Sequence, residues 1–137
     1  MDARYTLTRE TPPLDTYRRL RRVAGLTPRS VAAAEAGLPN TIAGVTVRDG
    51  KRIVAMGRAI GDGLFYQIVD IAVDPADQGR GIGTAVVAAL MARLREIAPA
   101  EAHVSLIADG EAHRLYAQHG FAPTAPAAIG MAQWIGR

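Results

Sequence analysis

Residues 73–95, reading VDPADQGRGIGTAVVAALMARLR, join the end of a strand to a glycine-rich turn and then to an amphipathic helix. Few arrangements constrain a chain more. Gly79, Gly81 and Gly83 keep the turn free of side chains, so consecutive N–H groups can face an anion where the next helix directs its unpaired donors and positive dipole end. A pyrophosphate held there needs no side-chain cation. Two familiar phosphate turns are excluded by spacing. A P-loop requires Lys and then Ser or Thr after its last glycine, whereas Thr84 and Ala85 follow Gly83. The dinucleotide fingerprint requires a third glycine where Thr84 stands, inside a βαβ unit that the surrounding pattern lacks.

The elements on either side follow from periodicity. Arg4 to Arg9 alternates as a half-buried strand and is stopped by Thr11-Pro12-Pro13. Leu14, Tyr17, Leu20 and Val23 recur every three residues and predict a helix from Leu14 to Ala24, with Asp15 or Thr16 near its cap and Gly25 beyond its end. A second short helix is expected from Thr27 as N-cap and Pro28 in the first turn, reaching Gly37. Thr41 to Arg48 and Arg52 to Ile60 predict an antiparallel hairpin closed by Asp49-Gly50, and Leu64 to Val73 a third strand. Ile82, Val86, Leu90 and Leu94, joined by Val87 and Met91, mark the buried stripe of the helix after the glycine turn. Ala102 to Ala108 predicts a further strand, and Gly110 to His119 a last helix that Asp109 is placed to cap. Phe121 to Pro126 and Met131 to Ile135, with Trp134, predict two more strands.

Composition narrows the function. A chain of 137 residues, 49% apolar, fits one domain spanning residues 1–137 around one core. The absence of cysteine removes disulfides, thiolate metal sites and a cysteine nucleophile together. His103, His113 and His119 lack metal-ligand spacing, so no metal is expected. No charged-then-apolar leader and no apolar run of the ~20 residues that span a bilayer occur, which points to a cytoplasmic protein with no membrane partner. The net charge of +3 is carried by scattered arginines. Their single cluster, Arg18, Arg19, Arg21 and Arg22, is read as a solvated helix face rather than a nucleic-acid footprint, since few aromatics accompany it.

The turn Gln78-Gly79-Arg80-Gly81-Ile82-Gly83 resembles the acetyl-CoA motif of the GCN5-related N-acetyltransferase (GNAT) family. Leu115-Tyr116-Ala117-Gln118-His119-Gly120-Phe121 is similar to the family's later motif, in the right order and at the expected distance. The resemblance implies an α/β fold: a mixed, mostly antiparallel sheet of six to seven strands flanked by about four helices and splayed at the acetyl-CoA site. It implies acetyl transfer from acetyl-CoA to a small primary amine, arylalkylamine- or amino-sugar-like, by direct attack in a ternary complex. The other class of function open to such a chain is a non-catalytic regulatory protein that binds acetyl-CoA.

Carried over residue by residue, the resemblance assigns Gln78, Gly79, Arg80, Gly81, Ile82, Gly83 and Thr84 to the pyrophosphate, and the main chain of Ile71, Ala72 and Val73 to the pantetheine and the thioester oxygen. The alternative for those three is an ordinary paired strand. It places Tyr116 where a phenol protonates the leaving sulfur, against a purely core-filling tyrosine. The family's strand glutamate is matched by Gln67, which accepts no proton. Asp70, the nearest carboxylate on that strand, is then either a base working through water or one half of a structural ion pair. Asp109 contacts the pantetheine arm or caps a helix, and Asp62 meets the acceptor's cation or forms a turn. Leu26 to Asn40 is the expected acceptor wall, and Met131 to Ile135 is either the strand through which a homodimer would pair or a last strand buried in the monomer core.

Overall fold

The computed structural model describes residues 1–136. They form two compact units, 1–106 and the described residues from 107 onward. In the first, five strands lie in sequential order: β1 (Tyr5–Thr8), β2 (Ala43–Asp49), β3 (Arg52–Gly61), β4 (Phe65–Val73) and β5 (His103–Ser105). The first four pair antiparallel and β5 pairs parallel to β4. The β2–β3 turn turns on Gly50 at φ +63°, a left-handed geometry that glycine adopts without steric cost.

Helix α1 (Leu14–Val23) buries Tyr17 and Leu20 and packs on β3 and β4. It ends in a Schellman arrangement around Gly25: Leu26 N–H donates to Arg21 O at 2.8 Å and Gly25 N–H to Arg22 O at 3.2 Å. Helix α2 (Val31–Gly37) starts later than the Thr27-Pro28 pair suggested. Its cap is Ser30, whose Oγ accepts from Ala33 N–H at 3.1 Å, while Thr27 O is taken by the Arg21 guanidinium. Tyr17, Leu20, Ala34, Leu38, Ile53, Met56 and Ala72 form one apolar layer on this face of the sheet.

Helix α3 (Ile82–Ile97) covers β2, β3 and β4 and buries Ile82, Val86, Val87, Leu90 and Leu94, the stripe its periodicity specified. A Cβ built on Gly57 would lie 2.6 Å from Val86 Cγ1 and 2.7 Å from Ile71 Cδ1. Gly57 therefore faces α3, and its neighbour Met56 faces α1. The two helical layers lie on opposite sides of the sheet.

The second unit carries a 3₁₀ turn (Gly110–Ala112) and α4 (His113–Ala117). The two strands expected after it do not form, so the sheet has five strands, not six to seven. Pro123 and Pro126 lack N–H donors, and the intervening chain closes on itself instead, with Ala128 N–H donating to Thr124 O at 3.0 Å. Met131 and Ile135, in the segment expected to pair across a homodimer, are 86% and 91% exposed and belong to no ladder. Among the described residues no helix is long and apolar enough to cross a membrane.

Candidate active site

Strand β4 is where the sheet departs from regularity. Its register against β3 slips by one residue between Met56 and Arg58, so Asp70 and Ile71 together oppose Gly57. Asp70 takes the extra position at φ +60°, a left-handed conformation that costs a non-glycine residue about 1 kcal/mol or more. On its other edge β4 pairs with β5 only from Phe65 to Gln67. From Ile68 to Val73 no strand of the described residues lies on that edge. Ala72 and Val73 pair with Met56 and Ala55 of β3, Ile71 lies in the bulge, and the opposite edge of all three has no neighbouring strand among the described residues.

One 3₁₀ turn, Pro75–Asp77, separates the end of the strand from the glycine turn. Gly79 at φ +77° and Gly81 at φ +79° both occupy the left-handed region, and Gly81 is the N-cap of α3 with no side chain to occupy the helix donors. Gln78 Nε2 donates to Val73 O at 3.1 Å, closing the loop between strand and turn. Arg80 lies within electrostatic reach of Tyr5. The long helix axis ends at the turn, so its unpaired N–H groups and dipole favour an anion bound there.

Two buried carboxylates brace this loop. Asp74 caps it by accepting from Ala76 N–H at 3.0 Å and pairs with Arg52 at 2.5 Å and Arg19 at 3.6 Å. Asp77, 3% exposed, accepts from the Tyr5 hydroxyl at 2.8 Å and pairs with Arg4 at 3.5 Å. Burial, followed by that hydrogen bond, holds the Tyr5 phenol above its ordinary pKa. The turn is thus tied to β1, β3 and α1, which fixes the donors before a ligand arrives.

Asp70 is half of a double ion pair. Its side chain, 6% exposed, accepts from Arg21 Nη1 at 2.5 Å and from Arg58 Nε at 2.8 Å. Of the two roles the sequence left open for it, the ion pair is the one this geometry displays. Each oxygen of that carboxylate is engaged by a different guanidinium, one from α1 and one from β3. Tyr17 lies beneath Arg58, the guanidinium carbon 5.6 Å from the ring centre, and burial with the nearby Asp70 charge pushes its phenol up. The arginine cluster of α1 is only in part a solvated face: Arg22 is exposed, but Arg21 is 6% exposed, and the half-buried Arg18 and Arg19 donate to Arg29 O and Ile53 O. Arg58 was legible as a charge inside an otherwise apolar strand. Arg21 lies one helical turn after Tyr17 on the buried face, a placement that composition alone hides.

Asp62 is a turn former, accepting from Leu64 N–H and Phe65 N–H at 2.9 Å each, and those two bonds lower its pKa. In the second unit Asp109 makes no capping bond through its side chain. Tyr116, in α4, stacks edge-on against Phe121 with ring centres 6.3 Å apart. Burial, and after it the charge of Asp109, raises its pKa, so the phenol keeps its proton at neutral pH. The described geometry brings Asp70, Ile71 to Val73 and Gln78 to Thr84 into one continuous segment; Tyr116 and Asp109 form a second group of their own. Among the described residues no His, Asp and Glu cluster could hold a metal ion.

A strand opened along one edge, kinked by a bulge and running into a glycine turn at a helix start defines a protein of the acyl-CoA-binding class. A family model for the acetyltransferase (GNAT) domain matches residues 41–123. The chain belongs to that family, whose acetyltransferases use acetyl-CoA. Serotonin N-acetyltransferase 2, a chloroplastic protein of Oryza sativa subsp. japonica, is 39% identical over 87 residues, covering 63% of this chain and 42% of that protein. This chain therefore spans less than half the length of that curated relative. A crystal structure of a protein of unknown function from meticillin-resistant Staphylococcus aureus, named a probable acetyltransferase, superposes with TM-score 0.91 at 40% identity and covers 96% of this chain and 99% of that one. A Mycobacterium tuberculosis protein solved in complex with CoA shares the fold, with TM-score 0.66 at 19% identity over 84% of this chain and 70% of that one.

Proposed function

We propose that the protein transfers the acetyl group of acetyl-CoA to a primary amine of a small molecule, by direct attack within a ternary complex. The observation that carries this is the half-open β4, bulged at Asp70, followed through one 3₁₀ turn (Pro75–Asp77) by the glycine turn that starts α3. Gln78 to Thr84 hold the pyrophosphate through main-chain donors. The freed main chain of Ile71, Ala72 and Val73 holds the pantetheine and donates to the thioester oxygen as negative charge develops there. Asp109 contacts the pantetheine arm.

The amine nitrogen attacks the carbonyl carbon, the carbon–sulfur bond breaks, and Tyr116 delivers its proton to the departing sulfur. The proton lost by the amine passes to water, because Asp70 is engaged by two arginines and Gln67 cannot accept one. Tyr116 is reprotonated from solvent. The absence of cysteine supports direct attack over an acyl-cysteine intermediate. The segment from Leu26 to Asn40 forms the acceptor wall. Likeness to a serotonin N-acetyltransferase favours an arylalkylamine as acceptor.

Release of free CoA thiol from acetyl-CoA, followed against arylalkylamines, amino sugars, polyamines and peptides, tests the proposal. Turnover with one class supports it. Acetyl-CoA binding without turnover on any amine supports a regulatory acetyl-CoA-binding protein instead, and absence of binding overturns both.

A further inference from the structure

One carboxylate holds both ends of the segment that lies between α1 and β2. Arg21 in α1 donates through Nε to Thr27 O at 2.7 Å and through Nη1 to Asp70 Oδ1 at 2.5 Å. Arg58 in β3 donates through Nε to Asp70 Oδ2 at 2.8 Å and through Nη1 to Thr41 Oγ1 at 2.8 Å. Thr27 opens the segment and Thr41 closes it, with α2 between them. Each guanidinium therefore spans from one end of the segment to the same aspartate. That aspartate is itself the extra residue of the β4 bulge, adjacent to Ile71. The side chains of Arg21, Arg58 and Asp70 are 8%, 10% and 6% exposed, so the charge-assisted bonds that join them are shielded from competing water.

We propose that Asp70 is a positioning residue that sets residues 27–41 against the bulge, so that an amine held by this wall meets the thioester held by Ile71 to Val73. The proposal rests on the acetyltransferase function and assigns acceptor orientation to the Arg21–Asp70–Arg58 tether. The tether has a geometric requirement that charge alone does not meet. A guanidinium in place at 21 donates to two acceptors from two nitrogens, whereas a lysine ammonium is a point donor on a flexible stem. The bulge conformation and the wall are then fixed by the same three side chains, and loosening one end frees the wall while leaving the glycine turn, braced separately by Asp74 and Asp77, in place.

Arg21→Lys and Thr41→Val each cut one end, and Thr41→Ser keeps the hydroxyl. Hydrogen exchange on the free protein is the first readout: amides of residues 27–41 should exchange faster in Arg21→Lys and Thr41→Val, those of β1 and α3 should be unchanged, and Thr41→Ser should match the parent. Kinetics is the second. KM for the acceptor should rise about tenfold, the loss expected of one charge-assisted hydrogen bond, with acetyl-CoA affinity by calorimetry held within about twofold. Asp70→Asn should show the same raised acceptor KM while keeping the acid limb of the parent's pH–rate profile. Unchanged exchange in 27–41, or acetyl-CoA affinity falling in step with the acceptor KM, overturns the proposal. Loss of the acid limb in Asp70→Asn with KM unmoved would make Asp70 the base and overturn it as well. Failure of the function itself reads differently, as a parent protein with no thiol release on any amine.

Discussion

Gly57 lies against Val86 and Leu90 of α3, and Gly57→Ala measures how tightly the helix is referenced to the bulge. The added Cβ would meet Val86 Cγ1 at 2.6 Å, Ile71 Cδ1 at 2.7 Å and Leu90 Cδ1 at 3.0 Å. Val86 and Leu90 are fully buried. Leu90 and Ile71 can turn their terminal methyls aside, but a valine in a helix has essentially one χ1 rotamer, so relief there requires α3 to move. Overpacking of this kind costs about 1–3 kcal/mol. Restricting the unfolded chain returns about 0.5–1 kcal/mol, leaving a net loss of about 1–2 kcal/mol. For a chain of this size that is a fall in Tm of about 4–8 °C. Val86→Ala alone should cost about 2 kcal/mol, from lost methyl burial and the cavity left behind. In the double variant each change fills the space or removes the clash created by the other, so it should be more stable than the sum of the singles by about 1 kcal/mol or more. Thermal and urea unfolding of the four proteins closes the cycle. Additivity within about 0.5 kcal/mol would refute the steric account, because independent sites behave that way.

Three further outcomes are expected. Tyr116→Phe should lower kcat about a hundredfold while acetyl-CoA affinity measured by calorimetry stays put, and an unchanged kcat would remove the phenol from the chemistry. Gly81→Ala places a side chain at φ +79°, where the nearest atom is 4.0 Å away, so its cost is backbone strain of about 1–2 kcal/mol rather than a clash. That strain falls on the N-cap of α3, and weaker acetyl-CoA binding is expected; equal affinity would show that the turn does not need its left-handed form. Glu10 has its pKa lowered by the Thr46 hydroxyl first and then by Arg48, with contacts of 2.5 Å and 2.7 Å. A lowered folded pKa gives stability that is present above the unfolded value of 4.5 and lost as pH falls through the folded one. Glu10→Gln should therefore flatten the acid limb of a stability-against-pH curve, and an unaltered limb would assign it to other carboxylates.

The parts of the fold legible beforehand were those set by local periodicity. The stripe from Ile82 to Leu94, the β2–β3 hairpin at Asp49-Gly50 and the α1 stop at Gly25 depend on neighbours three, four or two residues away, and each formed as its pattern indicated. The α2 start did not, because Thr27 O is committed to Arg21 six residues earlier in the chain, a tertiary choice over a local one. The two late strands failed for a related reason. Alternation from Met131 to Ile135 states only that a strand would have two faces; pairing needs a neighbour, and no ladder supplies one.

The site divides along the same line. Glycine at 79 and 81 is demanded by backbone angles, so residue type and conformation correspond one to one. Asp70 has no such local mark. An aspartate at φ +60° in the middle of a strand is unfavourable in isolation, and it persists because two guanidiniums from α1 and β3 hold its carboxylate. Removing either arginine should relax the bulge as well as the wall, since the same bonds sustain both. The β4 bulge and the tether between α1 and β3 thus meet in one carboxylate, that of Asp70.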